Sequence, residues 1–216
     1  MGGGGVDLPT LMSYLEGAIG EFPDSRTGSN TRYTMRDAAL AAFSVFFTQS
    51  PSFLAHQRSM QLSKGKSNAD TIFGLNEIPT DNHIRSLLDP VGVSLLQPVF
   101  KKVFDELHER EALDGLRCFD QTLLVALDGV WFHNSESVHC EHCNTQHHRD
   151  GRTTYYHSAV TPVLVTPGNS RVISLEPQFI EPQDGETKQD CENAAGKRWL
   201  RGAGLSYVEH GVTILG

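Results

Sequence analysis

A long apolar run broken by a single carboxylate is the feature that most limits how this chain can fold. Residues 123–132 read Leu-Leu-Val-Ala-Leu-Asp-Gly-Val-Trp-Phe, and a run of this length predicts a buried β-strand. A charge inside a buried strand is costly unless it is paired or binds a metal, and Gly129 leaves room for a ligand beside the backbone. Asp128 is therefore a candidate catalytic residue and metal ligand. The alternative is that Asp128 ends the strand and caps a turn with Gly129.

The net charge of −8 is unevenly distributed along the 216 residues. Residues 1–110 carry 10 basic and 12 acidic side chains, whereas residues 111–216 carry 8 and 14. The chain as a whole does not attract nucleic acid, so any DNA contact has to come from local basic patches, which the first half offers more readily. The more acidic second half suits a site for divalent cations.

Cysteine content and hydropathy indicate a soluble cytoplasmic protein. Four cysteines and no recognisable signal peptide favour a reducing compartment. The most apolar window, residues 38–47, is too short to cross a bilayer. We therefore expect no membrane partner.

The first half reads as helical. Residues 1–34, with their glycine-rich start, are expected to form a flexible segment, although 8–18 within them has the pattern of a short amphipathic helix. Residues 35–114 are expected to form a helical region that is a candidate for DNA binding, and Thr80 is the predicted N-cap of one helix. The helices predicted there cover 37–47, 54–62, 69–75, 81–88 and 91–110.

Two groups of basic residues in this helical region are candidate DNA contacts. Arg58, Lys64 and Lys66 follow one another closely at a helix end, which suits phosphate groups. Arg85 would read bases if the helices on either side of 76–80 form a helix-turn-helix, with His83 and Ser86 beside it. The alternative for all of them is a solvated surface.

Strand patterns dominate residues 115–216. Residues 153–165 are rich in β-branched and aromatic side chains, and Pro162 within them predicts an edge position or a bulge. The loop 177–186 and a helix at 188–201 come before the last strand. The strands predicted are 123–132, 153–165, 171–175 and 211–215, which gives the order β-β-β-α-β.

A cysteine and histidine cluster lies between the first two of these strands. Cys140 and Cys143 form a Cys-x₂-Cys pair, which lets two thiolates bind one metal from a tight turn, and His147 or His148 can supply a third ligand. These residues predict a zinc site in an insertion at 133–157. The fourth ligand stays open among His139, His142, His133 and His157, and the alternative is a hairpin with two free thiols.

Taken together, several segments resemble bacterial insertion-sequence transposases of the DDE type, which have a ribonuclease H-like catalytic core. The similarity covers nearly all of residues 35–216. The segments that carry it are AAFSVFFTQSPSFL (41–54), IPTDNHIRSLLD (78–89), LDG (127–129), CEHC (140–143) and KQDCENAA (188–195).

The resemblance implies Mg²⁺-dependent DNA cleavage and strand transfer, with metal ions held by two Asp and one Glu. Asp128 matches the first Asp. The second is expected at the end of the fourth strand, where this sequence stops at Gly216, and the Glu further on. Asp190 and Glu192 lie on the preceding helix, where we expect packing roles rather than a substitution. The fold class expected is α+β, a helical region followed by an incomplete ribonuclease H-like domain.

The function expected is that of a truncated transposase acting in, or derived from, DNA transposition and inactive by itself. Its partner would be double-stranded DNA at transposon ends, in the bacterial cytoplasm or on the nucleoid. The alternative is a non-catalytic fragment that binds DNA, full-length transposase or a second copy of itself and so regulates transposition. A zinc-dependent hydrolase is disfavoured because the chain has no HExxH-like general base.

Overall fold

The N-terminal part of the chain forms α-helices, and the C-terminal part forms a mixed β-sheet with further helices. The computed structural model describes residues 6–28, 31–62, 68–75, 78–181 and 190–216. The chain divides into two units, one formed by Asp7–Val99 and the other mainly by Phe100–Gly216. The predicted α+β class is confirmed at this level.

The first unit consists of short helices in the places where the sequence predicts them. The short helix predicted at 8–18 is present within the segment 1–34, and its Met12 and Ile19 are buried in one apolar cluster with Leu40. The helices are α1 (Leu8–Ile19), α2 (Met35–Phe47), α3 (Phe53–Leu62), α4 (Asn68–Phe73) and α5 (Asp81–Leu88).

Side-chain caps fix where two of these helices begin. Thr34 and Asp37 form a reciprocal capping box at the start of α2. Thr80 caps α5 as predicted, since its side chain accepts a hydrogen bond from the backbone N–H of His83. These caps satisfy amide donors that have no partner inside the helix.

A buried histidine joins α2 to α3. The Nε2 atom of His56 lies 2.9 Å from Oγ of Ser44, and its Nδ1 lies 2.9 Å from Oγ of Ser50. His56 is only 4 % exposed, and burial lowers its pKa from the usual 6.5. The neutral imidazole therefore bridges the two helices as both donor and acceptor.

Helix α6 (Gln97–Glu109) is shorter than the predicted helix at 91–110. A 3₁₀ turn at Val93–Leu95 comes before it. Pro98 explains the break, because proline is tolerated in the first turn of an α-helix and not in its interior. The predicted continuous helix is wrong at its start.

The sheet places the carboxylate-bearing strand in its interior. Its strands are ordered β2-β3-β1-β6; β1 pairs antiparallel with β3 and parallel with β6, and β4 and β5 also pair with β3. The elements are β1 (Leu123–Ser135), β2 (Asn144–His147), β3 (Thr153–Val165), β4 (Ile173–Ser174), β5 (Gln178–Ile180), α7 (Glu192–Trp199), a π-helical turn (Leu200–Gly204), α8 (Leu205–Val208) and β6 (Val212–Leu215).

Two short strands differ from the sequence prediction. β2 lies inside the cysteine and histidine insertion, and β5 lies in the predicted loop 177–186. β3 is not an edge strand as Pro162 suggested. Pro162 instead lies between the residues of β3 that pair with β5 and those that pair with β4, where the ladder is interrupted and a missing N–H is tolerated.

The core of this unit lies on one face of the sheet. Leu123, Val125 and Leu164 pack there with Trp199 of α7 and Tyr207 of α8, all of them almost fully buried. This packing fixes α7 over the sheet, close to β1. In the part of the chain that the structure describes, no helix has the length and apolar character needed to span a membrane.

Candidate carboxylate pocket and metal centre

Asp128 lies in the middle of β1 and faces solvent. It is opposite Thr161 of β3, and its Oδ1 accepts a hydrogen bond of 2.9 Å from the N–H of Gly129. The buried part of β1 is Leu123–Val125, so the expectation of an inward carboxylate is wrong. The strand-end alternative is wrong as well, because β1 continues to Ser135.

Glu192 occupies the space that Gly129 leaves beside the strand. A Cβ atom at residue 129 would overlap the carboxyl group of Glu192 and would stand 2.8 Å from its Cγ. Asp128 and Glu192 line one pocket of about 460 Å³, together with Lys197 and Ile214. Asp128 of β1 and Glu192 of the first turn of α7 therefore line the same pocket.

A buried ion pair holds the start of α7 in place. Arg198 donates to both carboxylate oxygens of Asp190, at 2.8 and 2.6 Å, and to the carbonyl oxygen of Phe179 in β5. Burial alone would raise the pKa of Asp190, but the Arg198 guanidinium and the backbone N–H groups of Glu181 and Cys191 outweigh it and hold the pKa below its usual range. Asp190 is thus a structural residue that positions the helix of Glu192.

Sequence reasoning missed Glu192 as a site residue. Asp190 has the packing role that was expected for both residues, whereas Glu192 extends to the pocket. The signal in the sequence was Gly129, whose missing side chain was interpreted as room for a ligand. That room is filled by a carboxylate of the same chain.

Cys140, Cys143 and His157 form a group that could hold a metal ion. The two Sγ atoms are 3.8 Å apart, and each lies 3.3 Å from Nε2 of His157. The cysteines lie in the turn directly before β2, and His157 lies on β3. All four cysteines of the chain are reduced in this structure.

His147 and His148 are not part of this group, which corrects the predicted third ligand. Nδ1 of His147 lies 3.0 Å from Oγ1 of Thr153, and Nε2 of His148 lies 2.8 Å from Oγ1 of Thr154. The reason is strand β2, which the sequence did not predict. β2 pairs with the start of β3, so that His147 at its end and His148 directly after it lie beside Thr153 and Thr154 and not beside the cysteines. His157, one of the alternatives for the fourth ligand, takes the place beside both thiols.

The surroundings of Cys143 and His157 favour the uncharged forms of these two side chains when no metal is bound. Burial raises the pKa of the Cys143 thiol, and burial, with the nearby His133 and His142, lowers the pKa of His157. The ring of Phe132 stacks on His157 with the centroids 5.7 Å apart. A divalent metal would supply the positive charge that stabilises the thiolates.

The candidate DNA contacts are only partly within the described residues. Arg58 is exposed on α3, and Arg85 on α5 has 68 % of its side chain exposed, with Asp81 at 4.0 Å. Lys64 and Lys66 lie outside the described residues. The two arginines are therefore available to a ligand, and Asp81 reduces the local positive charge beside Arg85.

Comparisons of this chain with protein-family models, with curated proteins and with solved structures find no match. The function is therefore inferred from the chemistry of the residues described above.

Proposed function

We propose that this chain acts in DNA transposition, as a transposase-type protein that works on phosphodiester bonds with divalent cations. The observation that carries the proposal is that Asp128 and Glu192 line one pocket, in which Glu192 lies against Gly129. Paired carboxylates on a rigid sheet and helix are the ligands that Mg²⁺ prefers when it also binds phosphate oxygens.

The strand arrangement supports the same proposal. β1 pairs antiparallel with β3, and β3 pairs antiparallel with β4 and β5. After α7 the chain returns as β6, parallel to β1. With the short β2 left aside and β4 and β5 taken as one interrupted strand, the order is β-β-β-α-β, which, with a carboxylate on the first strand, is the pattern expected of a ribonuclease H-like domain.

The residues at the pocket fit a hard divalent cation. Gly129 has no side chain, so the Glu192 carboxylate can lie against the strand beside Asp128. Bound Mg²⁺ would supply Lewis acidity at a phosphodiester and lower the pKa of an attacking water. Asp128 and Glu192 would hold the cation, and Lys197, which lines the same pocket, would attract the DNA phosphate.

The helical unit would supply DNA contacts. Arg58 and Arg85 are exposed on separate helices, and Lys64 and Lys66 follow Arg58 in the sequence. The first group suits phosphates, and Arg85 is the better candidate for a base edge at a transposon end.

Zinc is the metal that we propose for Cys140, Cys143 and His157. Bond lengths of about 2.3 Å to sulfur and about 2.0 Å to nitrogen, in tetrahedral geometry, place two sulfurs about 3.8 Å apart and a sulfur and a nitrogen about 3.5 Å apart. The distances here are 3.8 Å between the sulfurs and 3.3 Å from each sulfur to nitrogen. Thiolates also select zinc over Mg²⁺.

Metal-dependent binding to DNA tests the proposed function. The affinity of the protein for duplex DNA would be measured with and without Mn²⁺ at constant ionic strength, for the wild type and for Asp128→Asn and Glu192→Gln. We expect Mn²⁺ to raise the affinity of the wild type only, and nicking that requires both Mn²⁺ and Asp128 would identify the chemistry directly. An affinity that Mn²⁺ does not change, or changes equally in all three proteins, would contradict the proposal.

A further inference from the structure

The three-residue metal group has a second histidine directly across the sheet from its own imidazole. His133 of β1 lies opposite His157 of β3 in the antiparallel register. Residues directly opposite in an antiparallel pair project from the same face of the sheet. The two imidazoles therefore share one face, and their ring centroids are 5.8 Å apart.

A bulge in β1 creates this pairing. Trp131 is opposite Ser158 and His133 is opposite His157, so the register shifts at Phe132. In regular pairing Phe132 would stand opposite His157, and His133 would project from the other face. Bulges of this kind redirect a side chain locally, and here the redirected side chain is an imidazole on the same face as His157.

We infer that His133 is the fourth ligand of the centre formed by Cys140, Cys143 and His157. The inference rests on the proposed zinc site. Two imidazoles bound to one tetrahedral zinc have ring centroids about 5 Å apart, and those of His133 and His157 are 5.8 Å apart. Among the described residues, the ligand atoms within 4.8 Å of one another are those of Cys140, Cys143 and His157, so the His133 ring has to move toward them to complete the site.

The hydrogen bond that His133 makes through Nε2 leaves its Nδ1 atom available to bind a metal. Its Nε2 lies 3.2 Å from the carbonyl oxygen of Val138, which can only accept, so Nε2 carries the proton. The lone pair is then on Nδ1, for which the described residues provide no hydrogen-bond partner. A ligating histidine typically donates its other N–H to a carbonyl in this way, which fixes the orientation of the ring.

His139 and His142 are the competing ligands. The ring of His139 stacks on Tyr155, with the centroids 4.2 Å apart. His142 lies between the two cysteines in the turn, has 69 % of its side chain exposed, and is 3.5 Å from a carboxylate oxygen of Glu141. With His133 as the ligand, the centre joins β1, the turn before β2, and β3. The metal would then fix the end of the β1–β3 ribbon five residues beyond Asp128.

The test is Co²⁺ and Zn²⁺ binding to the full chain, with His133→Ala, His142→Ala and Cys143→Ser as variants. We expect about one Zn²⁺ per wild-type chain and the strong visible absorption of tetrahedral Co²⁺. Cys143→Ser should lose the metal, His133→Ala should weaken zinc at least about tenfold, and His142→Ala should match the wild type. Equal affinity and equal Co²⁺ spectra for His133→Ala and the wild type would overturn the inference.

His133→Cys separates ligation from a structural role of the residue. A third thiolate should retain the metal and add sulfur-to-cobalt charge-transfer absorption, which a residue that only packs cannot produce. A His133→Cys variant that binds Co²⁺ with the wild-type spectrum would overturn the assignment of His133. A wild-type chain that binds neither Zn²⁺ nor Co²⁺ would instead overturn the zinc site itself.

Discussion

The side chain of Glu192 lies against the backbone of Gly129, where a Cβ atom would stand 2.8 Å from its Cγ. This contact holds the first residue of α7 at the pocket that Asp128, the one acidic residue of β1, also lines. The shape of the pocket that both residues line therefore depends on the missing side chain of Gly129 as well as on the two acidic residues. Substitution of that glycine is a direct way to disturb the pocket without removing either acid.

Gly129→Ala should weaken divalent-cation binding about tenfold or more, because the new methyl group displaces the Glu192 carboxylate. The free energy of unfolding should change by less than about 1 kcal/mol, since the end of a flexible side chain can move aside. Mn²⁺ titration and urea denaturation measure the two quantities. Gly202→Ala is the control, because a Cβ at residue 202 meets nothing within 4 Å. An equal cation affinity for both variants would contradict the role of the contact.

Arg198→Ala should lower the free energy of unfolding by about 2–3 kcal/mol, because it leaves the buried Asp190 carboxylate without its cation. This is below the cost for a fully buried pair, since the Arg198 side chain is 38 % exposed. The pKa of Asp190 is depressed in the folded state. The stabilisation that the Asp190 carboxylate gives the fold is therefore fully present above its ordinary pKa of 3.8, and it is lost as the pH falls below that value.

Urea denaturation of Arg198→Ala and of Arg201→Ala, an exposed neighbour, measures this effect. The control should stay within about 0.5 kcal/mol of the wild type. As the pH falls below about 4, the free energy of unfolding should decrease more steeply for the wild type than for Arg198→Ala. Two variants of equal stability would show that the ion pair does not hold α7.

The His56 bridge predicts a pH dependence in the helical unit. Because burial lowers the pKa of His56 in the folded state, protonation favours the unfolded chain. The contribution of His56 to the free energy of unfolding is fully present above its unfolded-state pKa of about 6.5. It decreases as the pH falls through and below that value. His56→Leu should be less stable at neutral pH, since Ser44 and Ser50 lose their partner.

Denaturation at pH of about 7.5 and about 5.5 compares the two proteins. The wild type should lose more stability than His56→Leu over this interval, so that the difference between them becomes smaller in acid. A constant difference would mean that His56 does not titrate in this range.

Basic residues of the helical unit should separate into two kinds of DNA contact. Lys64→Ala combined with Lys66→Ala should weaken binding to all sequences alike and reduce the salt dependence, as loss of phosphate contacts does. Arg85→Ala should mainly reduce the preference for transposon ends over random DNA. Gel shifts at several salt concentrations distinguish the two, and variants that bind like the wild type would indicate solvated surface charges.

The sequence predicts most elements of this fold because their signals are local. Helix α5 follows from Thr80 and the residues after Pro79, and β3 was predicted with the bounds that the structure gives. β2 and β5 have no such signal, since four and three residues form strands here only by pairing with β3. Their stability comes from a partner that is distant in the sequence.

The sequence predicts a site residue correctly where the spacing of neighbouring residues is enough to indicate the chemistry. Cys140 and Cys143 identify themselves by their spacing, but the choice of His157 over His147 depends on the register of β2 and β3. Glu192 lies 63 residues after Gly129 in the sequence, and no local pattern predicts that the two meet. Such contacts are set by the packing of α7 on the sheet, which Asp190 and Arg198 stabilise.

Mn²⁺ binding to the wild type, Asp128→Asn, Glu192→Gln and the double variant tests the central claim most directly. The electron paramagnetic resonance signal of free Mn²⁺ gives the bound fraction, and circular dichroism confirms that each variant is folded. We predict that each single substitution weakens Mn²⁺ at least about tenfold and that the double variant is scarcely weaker than either, since both carboxylates serve one ion. Equal Mn²⁺ affinity in all four proteins, or none in the wild type, would contradict the account.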